Sequence, residues 1–165
     1  MLSRLWQRGR ASARALSAAA LILLMALEGF SALPYKDIAG IWTDGYGNTH
    51  GVVPGQPVTE PQAQAALIRH VNVFAAGLDR CLLVTPTQNQ YDALMLWTYN
   101  VGVSAACSST LIRLLNQGAL PSVWCGQLFR WNKVRINGQL VPSRGLTNRR
   151  QTEYTLCMKD SNGKS

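Results

Sequence analysis

Apolar residues recur along most of the chain at the spacing of α-helices. The run 15–27 consists mainly of helix-forming residues and is apolar nearly all round. Thr59 can cap a helix that carries Pro61 in its first turn, and Thr87 can cap the helix that follows. The pattern predicts later helices near residues 60–80, 88–100, 108–116, 120–130 and 146–158.

Two stretches lack the helical period. Between residues 34 and 53, glycines separate Ile41-Trp42 from Val52-Val53, which predicts short strands joined by tight turns. Residues 132–143 are predicted to form a loop with a turn at Asn137-Gly138. The expected fold class is therefore α+β, mostly helical with a small antiparallel β lobe. The predicted organisation is a basic segment 1–17, a domain 18–158 and a flexible tail 159–165.

The net charge of the chain favours some classes of binding partner over others. Lys and Arg number 16 against 8 Asp and Glu, a net charge of +8, and the length fits one domain with a sizeable core. A basic surface suits an anionic polymer or an anionic membrane face. Nucleic acid is disfavoured because the sequence has no zinc-ligand spacing and no nucleic-acid-binding motif. The basic C-terminal half is either a solvated face or a contributor to substrate binding.

Two carboxylates stand close together in a chain with few acids. Glu28 ends the apolar run, where the helix dipole and apolar neighbours are expected to raise its pKa and suit it to general acid catalysis. Asp37 lies in a wetter, turn-like setting and is expected to stay charged. Such a pair is the equipment for cleaving a glycosidic bond. The alternative is a solvated helix end and a routine turn residue.

The spacing of these residues resembles a known family. Glu28-Gly29, Tyr35-Lys36-Asp37 and Thr43 match the active-site region of the phage lysozymes without a gap. The resemblance extends over about residues 18–158, in the family's order, through Thr87–Leu94, Tyr99–Gly102, Ser108–Leu111, Phe129–Asn132 and Gly145–Glu153. The variant Trp42–Gly51 is similar to the branch that includes membrane-tethered endolysins.

The resemblance implies a lysozyme-like fold whose cleft lies between the β lobe and the helical lobe. It implies hydrolysis of the β-1,4 bond between N-acetylmuramic acid and N-acetylglucosamine in peptidoglycan. Glu28 would be the acid, Asp37 the carboxylate acting on water or the oxocarbenium-like centre, and Thr43 the hydroxyl that holds the water. The alternatives are a lytic transglycosylase, which needs no second carboxylate, and a catalytically dead basic membrane-active protein.

Asn100 and Tyr46 are the expected substrate-binding residues. Tyr99 and Trp131 stand near the cleft in the resembled family, although aromatic residues at helical spacing are more often part of the core. Many family members place a histidine where Asn48 stands here, so His50 is interpreted as a loop residue without a catalytic part. Glu153 is expected to pair with Arg149 or Arg150 on one helix face. We expect a monomer that needs neither a cofactor nor a metal ion.

The four cysteines, Cys81, Cys107, Cys125 and Cys157, form no C-x-x-C pair, which makes zinc binding improbable. They allow three disulfide pairings. The sequence-near pairing, Cys81–Cys107 with Cys125–Cys157, is economical and agrees with the pattern of the resembled branch. Each bond would stabilise the fold by about 3–4 kcal/mol in the chain-entropy model. The alternative is four free thiols in a cytosolic protein.

The N-terminus bears on localisation. Arg4, Arg8, Arg10 and Arg14 precede the apolar run without any acid, as in a secretory signal. Cleavage after the run would remove Glu28, so an active enzyme must keep the segment. The run is shorter than the ~20 residues of a spanning helix. It resembles the weak anchor of a signal-arrest-release endolysin, tethered to the inner membrane and then periplasmic. The alternative is a plain first helix in an enzyme kept in the host cytoplasm until holin release.

Overall fold

The structure is a computed structural model that describes residues 14–160. Its helices are α1 (Ala18–Glu28), α2 (Glu60–Asp79), α3 (Gln88–Val101), α4 (Val103–Cys107), α5 (Thr110–Asn116), α6 (Pro121–Cys125), a 3₁₀ helix (Gly126–Trp131) and α7 (Arg144–Met158). Its strands are β1 (Ser31–Lys36), β2 (Trp42–Gly45), β3 (Lys133–Ile136) and β4 (Gln139–Pro142), paired as two antiparallel hairpins. The predicted α+β class, mostly helical with a small β lobe, is confirmed.

The two longest helices begin as their sequences predict. The Thr59 hydroxyl accepts the backbone N–H of Gln62, and the Gln62 side chain accepts the backbone N–H of Thr59. Thr87 and Gln90 form the same reciprocal arrangement at the start of α3. Each capping box satisfies N–H groups that have no partner inside the helix.

Helix α3 forms the centre of the core. Its residues 90–98 are all buried, and α1, α2, α4 and α7 pack around it. Trp97 is fully buried and its ring meets Trp131 edge to face at 5.4 Å between ring centroids. Helix α1, which ends at Glu28, and helix α7 are thus positioned by contact with α3, whereas the β1–β2 hairpin packs against α2.

The helix predicted near 108–116 is confirmed as α5, which the Ser109 side chain caps by accepting the backbone N–H of Ile112. The short helix α4 that precedes it was not predicted, and one other boundary in the second half of the chain is wrong. The helix near 120–130 continues beyond α6 only as a 3₁₀ helix.

The predicted loop 132–143 is also corrected, because it forms the hairpin β3–β4 with the expected turn at Asn137-Gly138. Both turn residues have positive φ, 49° and 81°, as a two-residue hairpin turn requires. The alternation of Lys133-Val134-Arg135-Ile136 before an Asn-Gly turn was the available sequence signal for strands.

The β lobe begins earlier than predicted. In β1–β2, Tyr35 is opposite Thr43, Lys36 is opposite Trp42, and the register is irregular between Ser31 and Tyr35. Val52-Val53 forms no strand, which corrects the prediction. Gly45 closes β2 with φ 55°, and a Cβ there would come within 2.7 Å of the Ala63 side chain on α2. The glycine therefore lets the lobe approach α2 closely.

Two disulfides join neighbouring elements, and their pairing matches the prediction. Cys81–Cys107 ties the end of α2 to α4, and Cys125–Cys157 ties α6 to α7. Their Cα–Cα distances of 5.6 and 6.1 Å are usual for disulfides.

A group of polar contacts, here called the polar clasp, fastens the chain ahead of α1 to the start of α3. The Asp92 carboxylate, 2% exposed, accepts the backbone N–H of Ser17 at 3.0 Å and its hydroxyl at 2.5 Å. The clasp is completed by Gln88 donating to the Ala15 carbonyl and Tyr91 donating to the Arg14 carbonyl. A buried carboxylate is thus satisfied by the residue that caps α1.

The ends of the predicted organisation fall partly outside the described residues. Arg4, Arg8 and Arg10 of the basic segment lie there, as do residues 161–165 of the predicted tail. Asp160 is described, and its carboxylate accepts hydrogen bonds from Thr87 and Asn89. Across residues 14–160, no helix combines the length and apolarity needed to cross a membrane.

Candidate active site

Glu28 is the last residue of α1, and the chain turns sharply immediately after it. Gly29 has φ 72°, a value that strongly favours glycine, and its N–H closes the helix on the Met25 carbonyl. Strand β1 starts at Ser31, so the acid lies at the junction of helix and β lobe. Its side chain is 22% exposed, which is open enough for a ligand to reach.

Arg149 on α7 holds this acid. Its guanidinium donates to Glu28 Oε1 at 3.0 Å, to the Leu96 carbonyl at 3.1 Å and to Glu153 Oε1 at 3.2 Å. One side chain, itself 9% exposed, thus joins the ends of α1 and α3 to α7. Within the described residues Glu28 Oε2 has no hydrogen-bond partner, so one carboxylate oxygen is left available.

Sequence reasoning missed the contact between Arg149 and Glu28. It assigned the arginines to Glu153 alone, and that part is confirmed, since Arg150 also contacts Glu153 at 2.8 Å. A signal was present nonetheless. Arg149 and Arg150 carry two positive charges, and Glu153 can neutralise only one of them. A second buried arginine therefore requires another carboxylate.

The cluster of Glu153, Arg149 and Arg150 is almost completely excluded from solvent. Glu153 and Arg150 are 0% exposed, and burial raises the pKa of Glu153 to about 7 although both arginines oppose the rise. Burial likewise lowers the pKa of Arg150. Because each charge in the cluster is compensated only by its neighbours, the cluster fixes the position of α7 beneath the site.

Asp37 and Thr43 meet on the backbone of Ile41, across the turn between β1 and β2. Asp37 Oδ1 accepts the N–H groups of Ala39 and Ile41 at 2.8 and 2.9 Å. The Thr43 hydroxyl donates to the Ile41 carbonyl at 3.1 Å. Asp37 is half-buried and Thr43 is buried. The hairpin therefore brings these two predicted residues together, as a turn and its adjoining strand.

No hydrogen bond or ion pair of the described residues joins Glu28 to this hairpin. The predicted acid and the predicted carboxylate are therefore carried by separate elements, the end of α1 and the turn between β1 and β2. Asp44 is engaged elsewhere. It forms a β-bridge with Asn48 and accepts the Asn48 side-chain amide at 2.9 Å, as expected of a turn residue.

Asn100 borders a cavity on the helical lobe. The cavity has a volume of about 580 Å³, and its lining includes Trp131, Gln127, Arg130 and Lys133. The side-chain oxygen Oδ1 of Asn100 accepts a hydrogen bond from Arg150 at 2.9 Å, which fixes the orientation of the side-chain amide. Asn100 is thus a positioned polar group at a cavity with apolar and cationic walls.

Tyr46 is buried, whereas contact with a sugar requires an accessible side chain. It is 5% exposed, packs on Phe30 at 5.4 Å between ring centroids, and its hydroxyl donates to Glu60 at 3.0 Å. The ring is therefore part of the base of the β lobe. Substrate contact by Tyr46 stays a prediction, and its burial leaves little surface for it.

A second cavity, of about 530 Å³, adjoins the acid's surroundings. Its walls include Tyr99, Phe74, His50 and His70, and the two histidine rings meet at 5.6 Å between centroids. Burial raises the pKa of Tyr99 to about 12, and the charge of Glu28 contributes to the rise. The phenol therefore remains neutral near the acid. Burial and the neighbouring His50 lower the pKa of His70.

The chain is similar to known lytic proteins over most of its length. A family model described as phage lysozyme matches residues 25–153. The SAR-endolysin of Pseudomonas phage phiKMV is 40% identical over 144 residues, which is 87% of this chain and 89% of that protein. The endolysin of Acyrthosiphon pisum secondary endosymbiont phage 1 is 38% identical over 136 residues, covering 82% of this chain and 92% of its own.

Comparison with solved structures also relates this chain to endolysins. The solved endolysin from Escherichia coli O157:H7 phage FAHEc1 superimposes with a TM-score of 0.83 at 35% identity, over 90% of this chain and 96% of that one. The chain belongs to the phage lysozyme family. This family comprises glycoside hydrolases that act on peptidoglycan, so the predicted enzyme class and lysozyme-like fold are confirmed.

Replacing Glu153 should destabilise the fold more than removing the whole charge pair. In Glu153→Gln the buried Arg150 loses its only carboxylate and Arg149 keeps only Glu28, so we expect a loss of about 3–5 kcal/mol in unfolding free energy. The double variant Arg150→Met with Glu153→Leu removes both charges and should lose less. Urea unfolding followed by circular dichroism measures both. A double variant as unstable as Glu153→Gln would contradict the account based on uncompensated charge.

Proposed function

We propose that this chain is a muramidase whose hydrolysis of the β-1,4 bond between N-acetylmuramic acid and N-acetylglucosamine lyses the bacterial host of a phage. The observation that carries the proposal is Glu28, fixed at the end of α1 by Arg149 through one oxygen only. The β lobe that follows carries Asp37 and Thr43 on one turn. These are the parts that glycoside hydrolysis requires.

Glu28 donates the proton to the leaving oxygen. Arg149 orients the carboxyl through Oε1, and Oε2 is the atom free to face the glycosidic bond. A glycan lying over this partly exposed side chain places its glycosidic oxygen beside Oε2, as general acid catalysis requires.

Asp37 and Thr43 handle the water. Asp37 Oδ1 is used by the turn, whereas Oδ2 has no hydrogen-bond partner among the described residues. The Thr43 hydroxyl gives its hydrogen to the Ile41 carbonyl, so its lone pairs can accept one from water. A water that donates to both residues keeps a lone pair directed at the anomeric carbon. Asn100 and the cavity beside it bind the flanking substrate, whose peptide carboxylates suit Arg130 and Lys133.

The acid is tested by Glu28→Gln. The amide keeps the hydrogen bond to Arg149 but has no acidic proton to give, so we expect a folded protein with activity lower by about 10²–10⁴. Turbidity clearing of purified peptidoglycan measures the rate. Mass spectrometry of the wild-type digest should show reducing N-acetylmuramic ends. Anhydro ends would identify a transglycosylase instead, and full activity of folded Glu28→Gln would refute the assignment.

The roles of the hairpin residues are separated by Asp37→Asn and Asp44→Asn. Asparagine at 37 still accepts both backbone N–H groups through its side-chain oxygen, so the turn survives while the charge is lost. Asp37→Asn and Thr43→Ala should each lower turnover at least ~100-fold. Asp44→Asn, whose side chain still accepts from Asn48, is the matched control and should keep activity. Near-normal turnover of Asp37→Asn would mean that Asp37 serves the turn alone.

The same segment supports a tethered first state. Glu28 directly follows the apolar run, so it cannot occupy its site while that run lies in lipid. In the folded enzyme, α1 buries only Ala20 and Leu24 well, leaves Ile22 68% exposed, and is fastened at its start by the polar clasp. Membrane insertion and activity are then exclusive states of one segment, inner-membrane-bound before periplasmic. The name SAR-endolysin of the phiKMV relative is in keeping with this proposal.

Leucines at Ala18 and Ala19 test the tether. Both alanines are exposed in α1, so leucine there should not disturb the folded enzyme, but it strengthens a membrane anchor by about 1–2 kcal/mol per side chain. We expect the leucine variant to stay in the membrane fraction after depolarisation, while the wild type becomes soluble in the periplasm at full length. Glutamines at the same positions are the control and should favour release. Wild type found only in the cytosol until a holin is supplied would overturn the tether.

A further inference from the structure

The two histidines of the chain, His50 and His70, lie side by side at the second cavity. His50 belongs to the loop that follows β2, and His70 is on α2. Their ring centroids are 5.6 Å apart and their planes are inclined at 64°. Phe74 and Tyr99 line the same cavity, of about 530 Å³. Tertiary structure thus places both imidazoles of this protein, here called the histidine pair, at one cavity wall.

The ring nitrogens of the histidine pair are not engaged by other groups of the described structure. Asn48 holds His50 by its backbone, accepting its N–H at 3.2 Å and donating to its carbonyl at 3.0 Å. No ring nitrogen of either histidine forms a hydrogen bond or an ion pair within residues 14–160. Burial and the neighbouring His50 and Arg69 lower the pKa of His70, which keeps that imidazole neutral. A neutral imidazole with a free lone pair is the form that binds metal ions.

The distance between the two rings fits two ligands of one metal ion. Zn–N bonds of about 2.0–2.1 Å place the centroid of an imidazole about 3.2 Å from the metal, so two rings at near-tetrahedral angles have centroids about 5.2–5.5 Å apart. The histidine pair, at 5.6 Å, is close to this separation. Helix α2 fixes the backbone of one histidine and Asn48 fixes that of the other. Rotation of the two side chains then directs one nitrogen of each at a shared ion.

We propose that the histidine pair binds a divalent cation of the Zn²⁺, Cu²⁺ and Ni²⁺ class, and that the bound cation inhibits hydrolysis. Imidazole suits these ions, whereas Mg²⁺ and Ca²⁺ prefer oxygen ligands. Among the described residues no group of three His, Cys, Asp or Glu side chains could hold a metal ion, and all four cysteines are in disulfides. Water therefore fills the remaining coordination positions, which makes the ion exchangeable rather than a permanent part of the fold.

Inhibition follows from where the cation is held. The charge of Glu28 contributes to the raised pKa of Tyr99, so the acid and this cavity wall are electrostatically coupled. A dication bound there favours the carboxylate of Glu28 over the carboxylic acid that donates the proton. It also joins the β lobe to α2 and, with its water ligands, occupies space beside the acid. This effect on the rate rests on the proposed function of Glu28, whereas binding of the cation does not.

The binding test titrates the untagged full chain with ZnCl2. Because the chain has only two histidines, its two imidazole Cε1–H signals in the NMR spectrum should shift together and saturate at one Zn²⁺ per chain, while MgCl2 shifts neither. By calorimetry, His50→Gln and His70→Gln should each weaken Zn²⁺ binding at least ~10-fold. Arg69→Gln is the matched control and should bind at least as tightly as wild type, since it removes a neighbouring cation but no ligand. A shift of one signal alone, or unchanged binding in both histidine variants, would overturn the site.

A second measurement, the turbidity clearing of purified peptidoglycan, tests the inhibition. Zn²⁺ at the concentration that saturates the NMR shifts should lower the wild-type rate at least ~5-fold, and EDTA should restore it. His70→Gln at the same Zn²⁺ concentration should keep most of its own metal-free rate. Undiminished wild-type hydrolysis with both histidines occupied would overturn the inhibitory role. A chain that hydrolyses nothing even without metal would refute the proposed function, while the NMR titration still decides the site.

Discussion

The guanidinium of Arg149 is the interaction on which the arrangement of this enzyme depends. It is nearly buried, and its hydrogen bonds reach three different elements: the end of α1 through Glu28, the last turns of α3 through the Leu96 carbonyl, and its own helix through Glu153. A buried guanidinium is tolerated only where its charge and its donors are satisfied. The requirement that stabilises α7 against α3 therefore also holds the proposed general acid in place. Stability and function share one side chain here.

The helix that carries the acid is fastened by polar contacts at both ends. At its start Asp92 accepts hydrogen bonds from the backbone N–H and the hydroxyl of Ser17, and at its end Arg149 donates to Glu28. Between these points Ala20 and Leu24 are buried and Leu21, Leu23, Met25 and Leu27 are partly buried against the core, while Ile22 is 68% exposed. Polar end contacts of this kind form only when the helix is docked. A segment held in this way suits the two exclusive locations proposed for it.

The disulfides and the cations of the basic C-terminal half both lie on the helical lobe. Cys81–Cys107 and Cys125–Cys157 join elements of the helical lobe, and neither involves α1 or the β lobe. The covalent cross-links thus stabilise the part of the fold that receives α1 without restraining α1 itself. The cations of the C-terminal half without an ion pair among the described residues include those around the cavity beside Asn100 and on β3–β4. Arg149 and Arg150, in contrast, form ion pairs with the buried or partly buried Glu153 and Glu28.

The sequence by itself determined the local structure. The Thr-Gln capping boxes, the glycine after Glu28 and the Asn-Gly turn each depend on atoms within a few residues, so residue type and spacing suffice to predict them. Tertiary structure decided which groups face each other. Ser17 meets Asp92 75 residues away, and Arg149 meets Glu28 121 residues away. Likewise, the burial of Tyr46 and the exposure of β3–β4 depend on what packs above them. Such contacts follow from how the helices pack around α3, and no local pattern of residues specifies that packing.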